Sequence, residues 1–270
     1  MMQMPRRLLS IALIGATLCG CSAGEPNGNA QEPWSGIFAD VRSQWSANPG
    51  VDLLNGISVP VRAYFESRFL VQYSGSMEFA YSGFIRAVPP NTPTENDDAG
   101  TSNRRPNIEH ATGSQPMFGN VRFRILSIDA TGPNSADVTV CRYIYSLAER
   151  EGDGLFTSIV SAGPNVDTRG ILAMRITLHE YDDDASSPGA QSGPNAGPKN
   201  DVFGPWQIKR FLSASNASAD EPEWPRMKAD IGTCIDHAPD PPARRAFLIN
   251  DANSRSDFPT RAPDPGWPTD

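Results

Sequence analysis

The residues whose chemistry is most easily specified are the cysteines near the start of the chain. Arg6 and Arg7 precede an apolar run over residues 8–18, and a Cys-Gly-Cys sequence follows at 19–21. A basic start, a short apolar segment and a small residue form the order of an export signal. Because a membrane-spanning helix needs about twenty apolar residues, this shorter run predicts a removable signal over residues 1–20.

The sequence Leu18-Cys19-Gly20-Cys21 resembles the lipobox of bacterial lipoproteins, whose cysteine is acylated, for example with palmitate, and becomes the new N-terminus. The resemblance implies lipidation of Cys21, since Cys19 as acceptor would place the bulky Leu18 at the cleavage point. Residues 21–33 are then a lipidated flexible tether, because they are polar and rich in Gly and Asn. The expected location is the cell membrane, lipid-anchored and facing outside the cytoplasm. Ordinary secretion and a chance match are the alternatives.

The charge of the chain excludes one class of partner. It has 23 basic and 31 acidic residues, which give a net charge of −8. Nucleic acid and anionic lipid headgroups should both repel such a body, so no nucleic-acid partner is expected. Attachment to a membrane would therefore depend on acyl chains rather than on a basic patch.

Two cysteines, Cys141 and Cys234, remain after the signal and the anchor are assigned. An even pair in an oxidising compartment outside the cytoplasm predicts one disulfide, and two separate buried thiols are the alternative. Neither residue has a His or a second Cys at ligand spacing, which argues against a metal-binding thiol.

The three histidines do not form a recognisable site. His110 and His237 are assigned to the surface, whereas His179 precedes three aspartates at 182–184. That acidic segment predicts either a cation site or, as we favour, a solvated turn. The motifs of zinc proteases, nucleophile-elbow hydrolases, phosphate-binding loops and dinucleotide-binding turns are absent from the sequence. No catalytic residue, metal or cofactor is therefore predicted.

Helical spacing dominates the first part of the predicted domain. Apolar residues over 34–45 share one side of a helix, and a second helix begins at Ser58 with Pro60 in its first turn. A third is predicted over 77–88. Residues 89–116 are polar and rich in Pro, Asn and Thr, which favours a long loop.

The apolar period then changes to that of strands. Four strands are predicted around residues 121–125, 138–145, 172–178 and 206–212, with a turn at 130–135 between the first two. One apolar face on each strand favours a curved antiparallel sheet that the N-terminal helices cover. The predicted fold is therefore an α+β domain over 34–237. Long disordered loops and a disordered, Pro-rich tail at 238–270 accompany it, and the tail includes at most a short helix at 243–249.

The position of Cys141 adds a constraint. It alternates with Val140 and so faces away from the helices, which means that the segment ending in Cys234 must wrap behind the sheet. That segment would also cover Tyr143 and Tyr145. Trp224 and Ile231 are the residues of that segment that we expect to pack over the two tyrosines.

The order of elements resembles the nuclear-transport-factor-two-like or SnoaL-like (cystatin-like) cone fold found in exported actinobacterial, mycobacterial-type lipoproteins. The resemblance depends on Ala-Asp-Val-Thr-Val-Cys at 136–141 and Gly-Pro-Trp-Gln-Ile at 204–208. Such folds include isomerases, dehydratases, ligand-binding modules and non-catalytic lipoproteins, so the resemblance does not fix a function. This chain departs from them in its three long loops and in lacking a clear acid–base pair on the apolar face of the sheet.

In a cone fold, one aromatic-rich set would lie between the helices and the sheet. Its members are Tyr64, Phe65, Phe69, Phe79, Tyr81, Phe84, Phe123, Met174 and Trp206. We favour a filled core for them, and the alternative is an apolar pocket for a lipid or another hydrophobic small molecule.

The favoured function is a non-enzymatic binding or accessory module of the cell envelope, with a hydrophobic small molecule or an envelope protein as its partner. The alternative is a cone-fold isomerase, dehydratase or hydrolase that acts on a small apolar molecule through a carboxylate or a Tyr. A third hypothesis is an interaction partner of a transport or secretion complex.

Overall fold

The computed structural model describes residues 32–92, 99–109, 111, 113, 115–181, 188–216 and 223–269. Seven strands and four α-helices lie within these ranges. The strands are β1 (Asp40–Ala47), β2 (Met117–Gly132), β3 (Ser135–Tyr143), β4 (Leu147–Arg150), β5 (Phe156–Ser158), β6 (Ile171–Glu180) and β7 (Trp206–Ser213). The helices are α1 (Ser58–Ser74), α2 (Phe84–Ala87), α3 (Met227–Asp236) and α4 (Pro242–Asn250).

The long strand β2 organises the sheet. Residues 118–125 pair in parallel with β1 along one edge of β2, whereas β3 pairs antiparallel along the opposite edge. Strand β4 continues along that second edge with residues 117–119 and pairs in turn with β5. Beyond β3 lie β6 and β7, both antiparallel. The sheet curls into a half barrel, which confirms an α+β fold with a curved, mainly antiparallel sheet.

Helix α1 contributes to the same buried core as one face of this sheet. Its predicted start is confirmed, and it ends at Gly75, whose φ of 69° suits glycine and whose N–H donates to the carbonyl of Val71. Residues 58–71 are all buried, charged side chains included. The helix therefore crosses the inside of the domain, with protein on every side of it.

The other two predicted helices are wrong. Residues 34–45 form a single 3₁₀ turn and then strand β1, in which Val41 and Trp45 point inward. Apolar residues four apart fit both a helix and a strand, so their spacing did not separate the two. Residues 77–88 contain a 3₁₀ turn, Met77–Phe79, and the one-turn helix α2, which begins after Gly83 at a φ of 84°.

The four predicted strands and the turn between β2 and β3 are present. The expected strand count of four is nevertheless too low, because β1, β4 and β5 were not recognised. Strands β4 and β5 have only four and three residues, too few for an alternating pattern to be distinctive.

The tail is the largest correction to the predicted organisation. Residues 238–269 are ordered, and the short helix predicted at 243–249 is present as α4. Phe258 and Trp267 are both 0% exposed, so the domain continues well beyond residue 237. The tail also joins the sheet, because the N–H of Trp45 donates to the carbonyl of Asp264 at 2.6 Å. Burial of the two large aromatic side chains, Phe258 and Trp267, attaches this otherwise polar segment to the domain.

The back of the sheet carries a second core, which the disulfide closes. Cys141 and Cys234 are bonded, with Cα atoms 5.4 Å apart, and the hydroxyl of Tyr143 donates to the carbonyl of Cys234 at 3.0 Å. Trp224 is 0% exposed and packs in the same cluster as Tyr145. The predicted disulfide is therefore confirmed, and so is the wrapping of its second half behind the sheet.

Candidate functional site

The aromatic set predicted between helix and sheet is brought together by the fold. Seven of its nine members are buried in the main core, and Phe79 and Trp206 are partly buried against it. Tyr64 stacks on Phe84 with ring centroids 6.0 Å apart, and Phe65 lies 6.2 Å from Phe123. Met174 and Phe69 are each 1% exposed. This packing is that of a core, and a hydrophobic-ligand pocket at these residues stays a prediction.

The remaining predicted positions fall in different places. Cys21, His110 and the aspartates at 182–184 lie outside the described residues. The ring of His179, near the end of β6, lies 4.9 Å from that of Tyr181, and His237 is exposed at the end of α3. Within the described ranges, no three His, Cys, Asp or Glu side chains are grouped to hold a metal ion. The same ranges contain no helix with the length and apolarity needed to cross a bilayer.

A buried carboxylate, which the sequence analysis missed, is the most chemically distinctive group in the core. Glu66 lies in the middle of α1 and is 0% exposed. Its Oε1 accepts from the hydroxyl of Ser43 at 2.9 Å and from Nε1 of Trp45 at 2.6 Å. Its Oε2 accepts from the hydroxyl of Tyr81 at 2.5 Å and from Nε1 of Trp267 at 2.9 Å. We call these five residues the Glu66 cluster.

Four separate parts of the chain build the Glu66 cluster. Strand β1 supplies two donors from its inward face, α1 supplies the carboxylate, the turn before α2 supplies Tyr81, and the tail supplies Trp267. The hydroxyl of Tyr81 is itself fixed, since it accepts from Nε1 of Trp34 at 2.5 Å. The cluster therefore joins the first strand, the central helix and the last residues of the fold.

A buried arginine accompanies the carboxylate. Arg62 precedes Glu66 by one helical turn, is 0% exposed, and lies with its guanidinium 4.2 Å from the ring centroid of Trp267. Its N–H groups donate to four backbone carbonyls at 2.8–3.2 Å. These belong to Leu53, Gln191, Pro265 and Gly266. The guanidinium thus fastens the tail to α1 from the same side as Glu66.

The electrostatics of the Glu66 cluster follow from burial. Loss of water raises the pKa of Glu66, while the charge of Arg62 and the hydrogen-bond donors oppose that rise. The pKa of Tyr81 lies well above its ordinary value because of burial and the adjacent carboxylate. Two titratable side chains that share a hydrogen bond, Glu66 and Tyr81, thus lie in the core, where none was predicted. Each carboxylate oxygen already accepts two hydrogen bonds, which uses the four acceptor positions of the group.

A sequence signal for this cluster was present. Arg62 and Glu66 are spaced i, i+4 on a helix, a pair that on a surface helix is a common solvated ion pair. What distinguishes α1 is that apolar residues surround the pair on every side. A helix that is apolar nearly all round is buried, so its few charged residues must be satisfied inside the protein.

Comparison of the chain with models of protein families, with curated proteins and with solved structures gave no match. Membership of the cone-fold family that the element order resembles therefore stays a prediction.

Proposed function

We propose that this protein is an extracytoplasmic lipoprotein, anchored in the cell membrane through Cys21, that acts as a non-enzymatic binding or accessory module of the cell envelope. The observation that carries the proposal is the disulfide between Cys141 and Cys234, two residues 93 positions apart. Structural disulfides form and persist mainly in oxidising compartments, which supports export of the domain. The lipobox-like sequence at 18–21 supplies the attachment point.

The saturated Glu66 cluster supports a binding role over a catalytic one. A general acid or base must come within hydrogen-bond reach of its substrate. Both oxygens of Glu66 are occupied by protein donors, and Tyr81 is only 2% exposed. Such a network holds a fold together without offering a position to a reactant. The half-barrel around α1 further supports a cystatin-like cone as the finer description of the fold.

Acyl labelling in a lipoprotein-processing bacterial host tests the anchor. Cells producing the wild type, Cys21→Ala or Cys19→Ala take up an alkyne analogue of palmitate, which is then detected on the purified chain. We expect label on the wild type and on Cys19→Ala, because residue 19 leaves with the signal. Cys21→Ala should carry none. Label that persists on Cys21→Ala would show that Cys21 is not the lipid-carrying residue.

The second candidate is a cone-fold enzyme that acts on a small apolar molecule. The raised pKa of Glu66 beside Tyr81 is the one observation that favours it, because such shifts concentrate at active sites. This function requires a small molecule to reach the Glu66 cluster, where Trp45 and Trp267 would report it. Saturable quenching of tryptophan fluorescence by an apolar compound, together with chemical conversion of that compound, would favour the enzyme if both are lost in Glu66→Gln.

A further inference from the structure

A polar cavity of about 270 Å³ lies between α1, the inner face of the sheet and the loop that contains Asn103. Arg68 from α1 and Arg142 from β3 both line it, and we call it the two-arginine pocket. The other polar lining residues are Gln72, Asn103, Asn107, Ser213 and Ser215. Among the residues that the structure describes, the lining contains no Asp, Glu or Lys, although the whole chain carries a net charge of −8.

The fold places both arginines where apolar side chains are the rule. Arg142 continues the inward face of β3, on which Val138 and Val140 are 0% exposed. Arg68 follows Tyr64 by one turn of the buried helix α1 and is itself only 7% exposed. Two positive charges therefore border the same cavity at the edge of the main core.

The contacts of Arg68 hold it in place without neutralising it. Its N–H groups donate to the carbonyls of Asn103 and Arg104 at 2.9 and 3.0 Å and to Oδ1 of Asn103 at 3.1 Å. Its guanidinium lies 3.7 Å from the ring centroid of Phe211. These partners are neutral groups or an aromatic face, so no carboxylate of the described residues offsets the charge of Arg68.

Arg142 is less completely satisfied. One of its terminal N–H groups donates to the side-chain oxygen of Gln72 at 3.3 Å, while its buried Nε has no hydrogen-bond partner. In the described part of the chain, neither Arg142 nor Arg68 lies within 4.0 Å of a carboxylate. Arg122, which lines a different cavity, pairs instead with Asp240 at 2.5 Å.

Arg68 is buried and Arg142 is half-buried, so two like charges without a counter-charge are unfavourable here. Burial lowers the pKa of both guanidiniums, and the charge of Arg142 further lowers the pKa of Arg68. Arginine nevertheless stays protonated in proteins, so the positive charge persists. An anion between the two side chains would offset both charges.

We propose that the two-arginine pocket binds a small organic anion through its carboxylate or phosphate oxygens. The guanidiniums of Arg68 and Arg142 bind the charged end, since arginine matches both groups with paired N–H donors. Leu172, Met174 and Phe211 form an apolar wall for the rest of the molecule. The inference deepens the proposed binding function and rests on it, but it does not depend on the anchor at Cys21.

Calorimetric titration of the full chain, purified in a non-ionic detergent, tests the pocket. The probes are benzoate and phenyl phosphate, with the neutral benzamide as the matched control and sodium chloride as the control for ionic strength. We expect saturable binding of at least one anion, and its phosphate or carboxylate group identifies the preferred ligand chemistry. No saturable binding of either anion, or equal binding of benzamide, would overturn the proposal.

Two variants locate the binding. Arg142→Gln should weaken the affinity about tenfold to a hundredfold, because a hydrogen bond to a charged group is lost. Arg86→Gln removes a surface arginine paired with Asp201 and should leave the affinity unchanged. Leu172 lies opposite Arg142 on β6, so Leu172→Glu supplies an internal carboxylate and should abolish binding. Wild-type affinity in either pocket variant would overturn the assignment.

A further measurement separates failure of folding from failure of the proposal. Leu172→Glu should have a thermal midpoint at or above that of the wild type without anion, because the new carboxylate pairs with a buried charge. A large loss of stability in Leu172→Glu would count against our inference that Arg142 lacks a carboxylate partner. Palmitate labelling of the same preparations reports the anchor, so a labelled chain without anion binding refutes this inference alone.

Discussion

Replacing Glu66 by Gln changes one atom of the core and tests whether the carboxylate holds the fold together. The introduced side-chain amide keeps one acceptor oxygen, which can serve Ser43 and Trp45. Its NH₂ group then faces the hydroxyl of Tyr81 and Nε1 of Trp267. Tyr81 can turn to accept, whereas an indole N–H is a donor only and loses its partner.

The magnitude follows from those contacts. An unsatisfied buried donor costs about 1–3 kcal/mol, and the two hydrogen bonds from Ser43 and Trp45 each lose roughly 1 kcal/mol when their acceptor becomes neutral. Relief of carboxylate desolvation offsets part of this sum. We therefore expect Glu66→Gln to lower the free energy of unfolding by about 2–4 kcal/mol. At about 2–4 °C per kcal/mol for a domain of this size, the midpoint should fall by roughly 10 °C.

Thermal unfolding at pH 7, followed by near-ultraviolet circular dichroism, measures this change. Glu78→Gln is the matched control, because Glu78 is exposed within the 3₁₀ turn and its substitution should change stability by less than about 0.5 kcal/mol. Equal stability of Glu66→Gln and Glu78→Gln would refute a structural role for the Glu66 cluster.

Three further predictions concern pH, the tail and the disulfide. The folded state binds the proton of Glu66 more tightly than the unfolded state, because the pKa of Glu66 is raised by folding. The stability that this proton contributes therefore falls as pH rises above about 4.5 toward the raised pKa. In urea titrations, the free energy of unfolding of the wild type should exceed that of Glu66→Gln by more at pH 5 than at pH 8, and a larger difference at pH 8 would contradict the shift. Deleting residues 251–270 removes Trp267 and two carbonyl partners of Arg62, so limited proteolysis should degrade the truncated chain at least tenfold faster, and equal resistance would mean that the tail is dispensable. Replacing Cys141 and Cys234 together by Ser should cost about 2–5 kcal/mol in urea unfolding, as expected for a cross-link closing a loop of this length; an unchanged midpoint would show that the cross-link does not stabilise the domain.

The helix and the strands that the sequence predicted correctly are those whose apolar spacing fits only one kind of secondary structure. Helix α1 has a clear start and a glycine end, and the four long strands alternate over enough residues to exclude a helix. Strand β1 did not meet this condition, since the four-residue spacing of Val41 and Trp45 fits a helix as well as a strand. Its parallel pairing with β2 joins residues nearly 80 positions apart, and local spacing does not encode such a partner.

The candidate sites were missed for a different reason. Glu66 and Arg68 are charged residues on a helix, and charge alone predicts exposure. Their burial depends on the tail and on the loop around Asn103, two segments that local patterns describe only as polar. The disulfide was predictable because the cysteine count and the expected oxidising compartment, rather than local conformation, indicate it.

The most direct test of the proposed lipoprotein is the mass spectrum of the N-terminal peptide from the chain purified out of its own membranes. We expect that peptide to begin at Cys21 and to carry the added mass of a diacylglyceryl group on the thiol. An unmodified peptide, or a mature chain that begins at another residue, would contradict the proposed anchor and the localisation that depends on it.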